Sequence, residues 1–319
     1  MKKYLILGFQ FVLSITFLAC SSEESDAPQS SFFVGTTPEG IFQSQDFGAS
    51  WQNRNTGIPE NVRLVKAIIP WDNALLLVSF GGGIFRSEDG GQSWFAQNQG
   101  LTGDALSAYA LAVIDNQLFI ATLAGVFYSD NDGASWVSRS QGLSGDALAV
   151  RTIYADGNTL WAGTFAGIYQ SGDLGQSWTV SDASLLGKAF LRHQSKLWFV
   201  SFDQGVFALD ETTQGWQAQN QGLNSSTDLQ GLSIFGNQNK LYYGAMNGLY
   251  CATDQGNWTR KNFNGTGLSQ EVHGITQFEQ YLVVGTGNGL FFSEDEGQSW
   301  TSKSTGLPEN TPIVSFLLE

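Results

Sequence analysis

Cysteine, histidine and methionine occur only twice each in 319 residues, and each scarcity removes a class of chemistry. Cys20 and Cys251 are too few for a disulfide framework, so stability has to come from packing. His193 and His273 are too few and too separated for a histidine metal site. Asp130-Asn131-Asp132-Gly133 only partly imitates the ligand spacing of a calcium loop, and neither a metal nor a cofactor is expected. No Gly-x-Ser-x-Gly elbow or phosphate loop occurs. The apolar run Tyr4–Ala19 is broken by Gly8, Gln10, Ser14 and Thr16, which makes it too short and too dilute for a membrane span. Positive charge is scarce as well: 15 Lys and Arg against 29 Asp and Glu argue against nucleic acid as a partner. Helical periodicity is missing throughout, which points to an all-β chain.

What the chain does have is a beat. Ser-x-Asp-x-Gly-x-Ser-Trp occurs at Ser44–Trp51, Ser87–Trp94, Ser171–Trp178 and Ser293–Trp300. Variants between them bring the closing tryptophans to Trp51, Trp94, Trp136, Trp178, Trp216, Trp258 and Trp300, at intervals of 43, 42, 42, 38, 42 and 42 residues. Such a period marks a propeller or a solenoid, here with seven units. The second unit shows four short strand-like segments, Val62–Ile69, Leu75–Phe80, Gly83–Arg86 and Trp94–Gln97, separated by turn residues such as Trp71-Asp72-Asn73 and Gly81-Gly82-Gly83. The two ends of the repeat match. Thr56-Gly57-Ile58-Pro59-Glu60-Asn61 is echoed by Thr305-Gly306-Leu307-Pro308-Glu309-Asn310, and Ile313–Leu318 supplies the first strand that the unit beginning at Phe32 lacks. The expected architecture is therefore a single seven-bladed β-propeller of four-stranded antiparallel blades over 32–319, monomeric, with its C-terminal strand closing the N-terminal blade.

These motifs resemble the bacterial-neuraminidase-repeat, or Asp-box, superfamily, which includes sialidases, sortilin-type receptors, xyloglucanases and photosystem II assembly-factor-like proteins. Strict boxes centre on Asp46, Asp89, Asp173 and Asp295; the third unit has Asn131 in that position, and the units ending at Trp216 and Trp258 are degenerate. The resemblance implies that each box is a hairpin tip between the third and fourth strands, on the face away from any ligand. The boxes are structural on this reading, with the carboxylate accepting backbone N–H bonds and the tryptophan filling the gap between blades.

The N-terminus resembles that of a bacterial lipoprotein. Met1-Lys2-Lys3 and the apolar run read as a signal over 1–19, and Thr16-Phe17-Leu18-Ala19-Cys20 resembles a lipobox that would leave Cys20 lipidated. Ser21-Ser22-Glu23-Glu24-Ser25-Asp26, within a tether over 20–31, reads either as a surface-export signal of the Bacteroidetes type or as a plain solvated spacer. The expected location is the outer membrane, with the lipid as the membrane contact.

On the face opposite the boxes, three sets of residues are candidates. The connections between blades carry Glu60, Asp104, Asp146, Asp228, Glu271 and Glu309, an acidic rim for cations, sugars or a basic protein, or simply a solvated one. Aligned by distance from the preceding tryptophan and by the small residue that follows, the first strands contribute Lys66, Tyr109, Arg151, Lys188, Gln230, His273 and Ser315. This is an all-polar ring, suited to an anion or simply wetted by the channel. The turns after the second strands contribute Thr37, Phe80, Leu123, Phe165, Phe202, Met246 and Gly287, either an apolar collar for a partner or core.

An Arg-Ile-Pro motif and an arginine cluster of the sialidase kind are both missing, and one propeller cannot form the two-propeller cleft of xyloglucanases. The reading is a non-catalytic scaffold that binds a protein, or else a glycan or small anion. The rival is a glycosidase that uses a carboxylate pair among Asp104, Asp146 and Asp228.

Overall fold

The computed structural model describes residues 31–253, 256–261, 263 and 270–318. The leader and nearly all of the tether, residues 1–30, lie outside the described residues, and with them Cys20. The rest forms seven four-stranded antiparallel sheets, each running from an inner strand to an outer one. In blade 2 the strands are Val65–Trp71, Ala74–Ser79, Gly83–Ser87 and Phe95–Ala96. The inner strands of blades 3 to 7 are Ala108–Ile114, Val150–Asp156, Gly187–His193, Gly231–Gly236 and Val272–Phe278. Each touches the next around the ring.

Burial explains the residue pattern across a blade. The second strand Ala74–Ser79 is buried at every position because both its faces meet neighbouring blades, so it reads as an unbroken apolar run. The fourth strand Phe95–Ala96 is exposed at both positions and shrinks to two residues at the rim. The core consequently lies between blades. Leu76, Val78 and Ile84 of blade 2 pack against Ala108, Leu111, Ile120 and Trp136 of blade 3.

The tryptophans also join blades by hydrogen bonds. Trp51 Nε1 donates to the Lys303 carbonyl at 2.7 Å, Trp94 Nε1 to that of Arg54 at 2.9 Å, and Trp178 Nε1 to that of Arg139 at 2.8 Å. Gly100, at φ +92°, crosses the backbone of Trp136 so closely that a Cβ would sit 2.0 Å from its carbonyl oxygen. No side chain fits there without moving one blade against the next.

The Asp-boxes sit between third and fourth strands, as expected. At Asp46, Oδ1 accepts the Ser50 N–H (2.8 Å) and the Ser44 hydroxyl (2.7 Å), while Oδ2 accepts the Ser50 hydroxyl at 2.5 Å. The same bonds recur at Asp89, Asp173 and Asp295. The serine bonds, Ser50 first, lower the Asp46 carboxyl to about 2, and the corresponding serines do the same for Asp89 and Asp173. Asn131 keeps the geometry by reversing one bond: its Oδ1 accepts the Ser135 N–H at 3.0 Å, and its Nδ2 donates to Ser135 Oγ at 2.8 Å. Asn131→Asp is therefore expected to change stability by less than about 0.5 kcal/mol, because Ser135 can turn its hydroxyl to donate. Asn131→Ala, which strands the Ser129 and Ser135 partners, should cost about 1 kcal/mol or more. Urea midpoints of the two variants check this, and equal losses would contradict it.

Ring closure joins the two ends of the chain, as expected. Ile313–Leu318 pairs antiparallel with Phe32–Thr36, placing Phe32 opposite Leu318 and Val34 opposite Phe316. Two details depart from the sequence reading. Blade 2 starts at Val65 because Glu60–Val62 forms a one-turn 3-10 helix, and similar turns occupy Gly103–Leu106 and Gly145–Leu148 in the next two connections. Among the described residues no helix is long and apolar enough to cross a membrane.

Candidate functional site

Every inner strand carries one extra residue near its start. The pairing with its neighbour skips Lys66, Tyr109, Arg151, Lys188, Leu232 and His273 in blades 2 to 7, and Val314 in the closing strand. A bulge of this kind re-aims the side chain that it leaves unpaired. Backbone hydrogen bonds repeat in the same phase. Phe80, Leu123, Phe165, Phe202, Met246 and Gly287 each donate to the carbonyl two residues before the bulge, on Leu64, Ser107, Ala149, Leu186, Gln230 and Glu271. The first-strand ring and the collar are thus tied together, at the end of the channel opposite the Asp-boxes.

Two of the ring positions expected from sequence are corrected by this register. Gln230 is the counterpart of Leu64, and the bulge holds Leu232; the connection before blade 6 is one residue longer, and Gly231 passed for the small residue that marks the register. Ser315 pairs with Gly35 and is buried, its Oγ without a hydrogen-bond partner, while the bulge holds Val314 because the closing connection is one residue shorter. The ring is therefore lopsided: basic and aromatic on blades 2 to 5, apolar at Leu232 and Val314, with His273 between them.

The basic arc is continuous. Lys66 Nζ lies 5.7 Å from the Phe80 ring centre and 5.9 Å from that of Tyr109, and these two rings meet edge to face at 5.2 Å. The Arg151 guanidinium lies 5.8, 5.0 and 5.3 Å from the rings of Tyr109, Phe165 and Phe202. Its Nε is buried without a hydrogen-bond partner. Among the described residues Lys66, Arg151 and Lys188 form no ion pair, although the chain carries twice as many acids as bases.

Their titration reflects this crowding. Burial, then the charges of Arg151 and Lys66, lowers the Lys188 ammonium to about 8. Lys66 is lowered by burial and by Arg151. His273 is lowered by burial and by Lys188 and Lys66, although Glu271 at 3.3 Å pulls it the other way. Charges on blades 2, 4, 5 and 7 bear on one another because their side chains converge on the axis.

Of the acidic candidates Glu271 lies against His273 of the ring, whereas Asp104, Asp146 and Asp228 make no ion pair with the arc among the described residues. Asp104 and Asp146 are exposed on their one-turn helices. Burial pushes the Asp228 carboxyl up, but hydrogen bonds from Asn247, Ser225, Tyr250 and Asn224 outweigh it and hold the group well below the usual carboxylate range. Asp228 Oδ2 accepts the Asn224 and Ser225 N–H groups at 2.8 and 3.0 Å, which makes it a brace for its own loop.

One feature of the rim escaped the sequence reading. Only residues 183–186 join Thr179–Asp182 to Gly187–His193, whereas residues 97–107 and 139–149 make the two preceding connections. The one-turn helix is missing between blades 4 and 5, and there Phe165 and Phe202 are 43% and 41% exposed. The signal was the single short interval, 38 residues, from Trp178 to Trp216.

No protein-family model matches the chain, and no curated protein matches it. Solved structures do. The GH74 xyloglucanase of Xanthomonas campestris superposes with a TM-score of 0.66 at 14% identity, over 86% of this chain and 52% of its own. YCF48 bound to a D1 peptide superposes with a TM-score of 0.61 at 17% identity, over 92% and 97%. The extracellular domain of BT4673 from B. thetaiotaomicron gives 0.61 at 14%, over 90% and 48%. The fold is that of the seven-bladed Asp-box propellers. This chain spans about half the length of the xyloglucanase and of the BT4673 extracellular domain, and nearly all of YCF48. Propellers of this shape thus include a xyloglucanase, a protein solved with a bound peptide and an extracellular domain, and at such identities the likeness carries the fold alone.

Proposed function

We propose that this protein is a non-catalytic binding propeller, held at an outer membrane surface by lipid on Cys20, that takes its partner at the bulge end of its channel. The observation that carries the reading is the convergence of Lys66, Arg151 and Lys188, unpaired with any described carboxylate and flanked by the exposed rings of Phe165 and Phe202. Half-buried charges without partners carry a cost and cluster where a ligand completes them. A propeller of the same fold solved with a D1 peptide supports a protein or peptide as the partner. The Asp228 carboxyl, fixed by hydrogen bonds in its ionised form, suits a structural role better than that of a general acid.

The reading is tested by cross-linking in native outer membranes. A partner captured by the wild-type chain should be lost from a variant carrying Lys66→Gln and Arg151→Gln; capture that is indifferent to both changes would place the binding face elsewhere. The anchor has its own test. In detergent phase separation the full chain should enter the detergent-rich phase, and Cys20→Ser should move it to the aqueous phase, since several acyl chains account for the attachment. A Cys20→Ser chain still found with detergent would overturn the anchor.

A further inference from the structure

A binding face at the bulge end of the channel leaves the chemistry of the ligand open, and the ring itself narrows it. Arg151 lies against three aromatic rings and keeps a buried Nε–H with no acceptor. With Nε closed off, the guanidinium offers the two-donor fork of its terminal nitrogens, matched to two oxygens of one carboxylate. Lys188 and Lys66 add positive charge at the same place. The surroundings are not those of a polyanion site. The rim carries the exposed Asp104 and Asp146, and the whole chain has a net charge of −14. Next to the fork, the short connection between blades 4 and 5 leaves Phe165 and Phe202 open to solvent, and Leu232 and Val314 supply an apolar far side.

We propose that the bulge end of the channel is a receptor site for a singly charged carboxylate bearing an aromatic or branched apolar group, the carboxylate on Arg151 and Lys188 and the apolar body in the low rim over Phe165 and Phe202. Two sources share that chemistry, a free small organic acid and the C-terminus of a peptide ending in an apolar residue. The proposal rests on the binding-face reading but is narrower: a partner held there by other contacts would leave that reading standing and remove this one.

The test titrates the full chain in mild detergent with 3-phenylpropionate, its neutral amide, acetate and inorganic phosphate, followed by calorimetry. A short peptide ending in phenylalanine is added with a free or an amidated C-terminus. Phenylpropionate should bind, with acetate, phosphate and the amide each weaker by about tenfold or more, the loss expected when a charged fork or its apolar complement is missing. Binding of the free-ended peptide over its amidated form by a larger factor than that between acid and amide identifies a chain terminus as the source; an equal or smaller factor identifies the small acid. Arg151→Gln should weaken phenylpropionate by about tenfold or more, and Phe165→Ala with Phe202→Ala should narrow its advantage over acetate. Should Arg151→Gln not fold, Lys188→Gln, judged by its tryptophan fluorescence, serves in its place. Amide binding as tight as acid, phosphate binding tighter than any carboxylate, or affinity unchanged in the variants would overturn the proposal.

Discussion

A chain ending at Pro312 should fail to fold cooperatively, or should melt more than about 15 °C below the intact protein, a drop far beyond that of a single core substitution. Ile313–Leu318 is the inner strand of blade 1, and its side chains also pack into the seam with blade 7. Ile313 is fully buried and Leu317 nearly so. Burying such side chains is worth about 1.5–3 kcal/mol each, and the lost strand holds several apolar residues, so the sum approaches the whole stability of an ordinary domain. Removal also strips Phe32–Thr36 of its partner and turns the middle of a closed ring into an open sheet edge. A synthetic peptide covering 311–319, added in trans, should restore part of the transition. Thermal melts by circular dichroism read the result, and a truncated chain melting within a few degrees of the full one would mean that the closure is ornamental.

The same closure shows why so much of the fold was legible in the sequence. Seven tryptophans at a near-constant interval, with a strand missing at one end and spare at the other, leave few architectures open, and the sheets match that reading down to the closing of the first blade by the last strand. Asn131 was visible as an imperfect box, and its side chain does what the aspartate does with one bond reversed. The ring was less legible because it depends on register at single-residue precision. Lys66, Tyr109, Arg151, Lys188 and His273 lie at bulges, but one inserted residue before blade 6 and one deleted before the closing strand displaced Gln230 and Ser315. Small residues such as Gly231 recur near strand starts and mark register poorly, whereas the hydrogen bond from the collar to the pre-bulge carbonyl marks it without ambiguity. Phe165 and Phe202, each following a buried strand directly, favoured core over surface in the sequence, since what decides between them is the length of a connection.

Lys188→Met should stabilise the protein at neutral pH, and the gain should disappear in alkali. Burial and the charges of Arg151 and Lys66 lower the Lys188 ammonium from 10.5 to about 8 in the folded chain, while the unfolded chain keeps the higher value. Below about 8 both states hold the proton, and the folded state bears the full cost of the confined charge. Between about 8 and 10.5 the unfolded chain binds the proton that the folded one has released, so stability rises with pH across this window. Above it the cost is gone. At about 1.36 kcal/mol per unit the penalty is of the order of 3 kcal/mol, and methionine, close in length and uncharged, removes it. The variant's advantage in urea should therefore be largest near pH 6.5 and fade by pH 10.5. His273, with Glu271 beside it, and Lys66 also face Lys188, and His273 is lowered further from neutrality, so the alkaline change reports the two lysines. An advantage independent of pH would show that the gain is one of packing. The stored cost has a functional side: an anion seated on the ring relieves it, so 3-phenylpropionate should raise the wild-type melting temperature at pH 7 and raise it less at pH 10, where Lys188 no longer carries its charge and Arg151 still does.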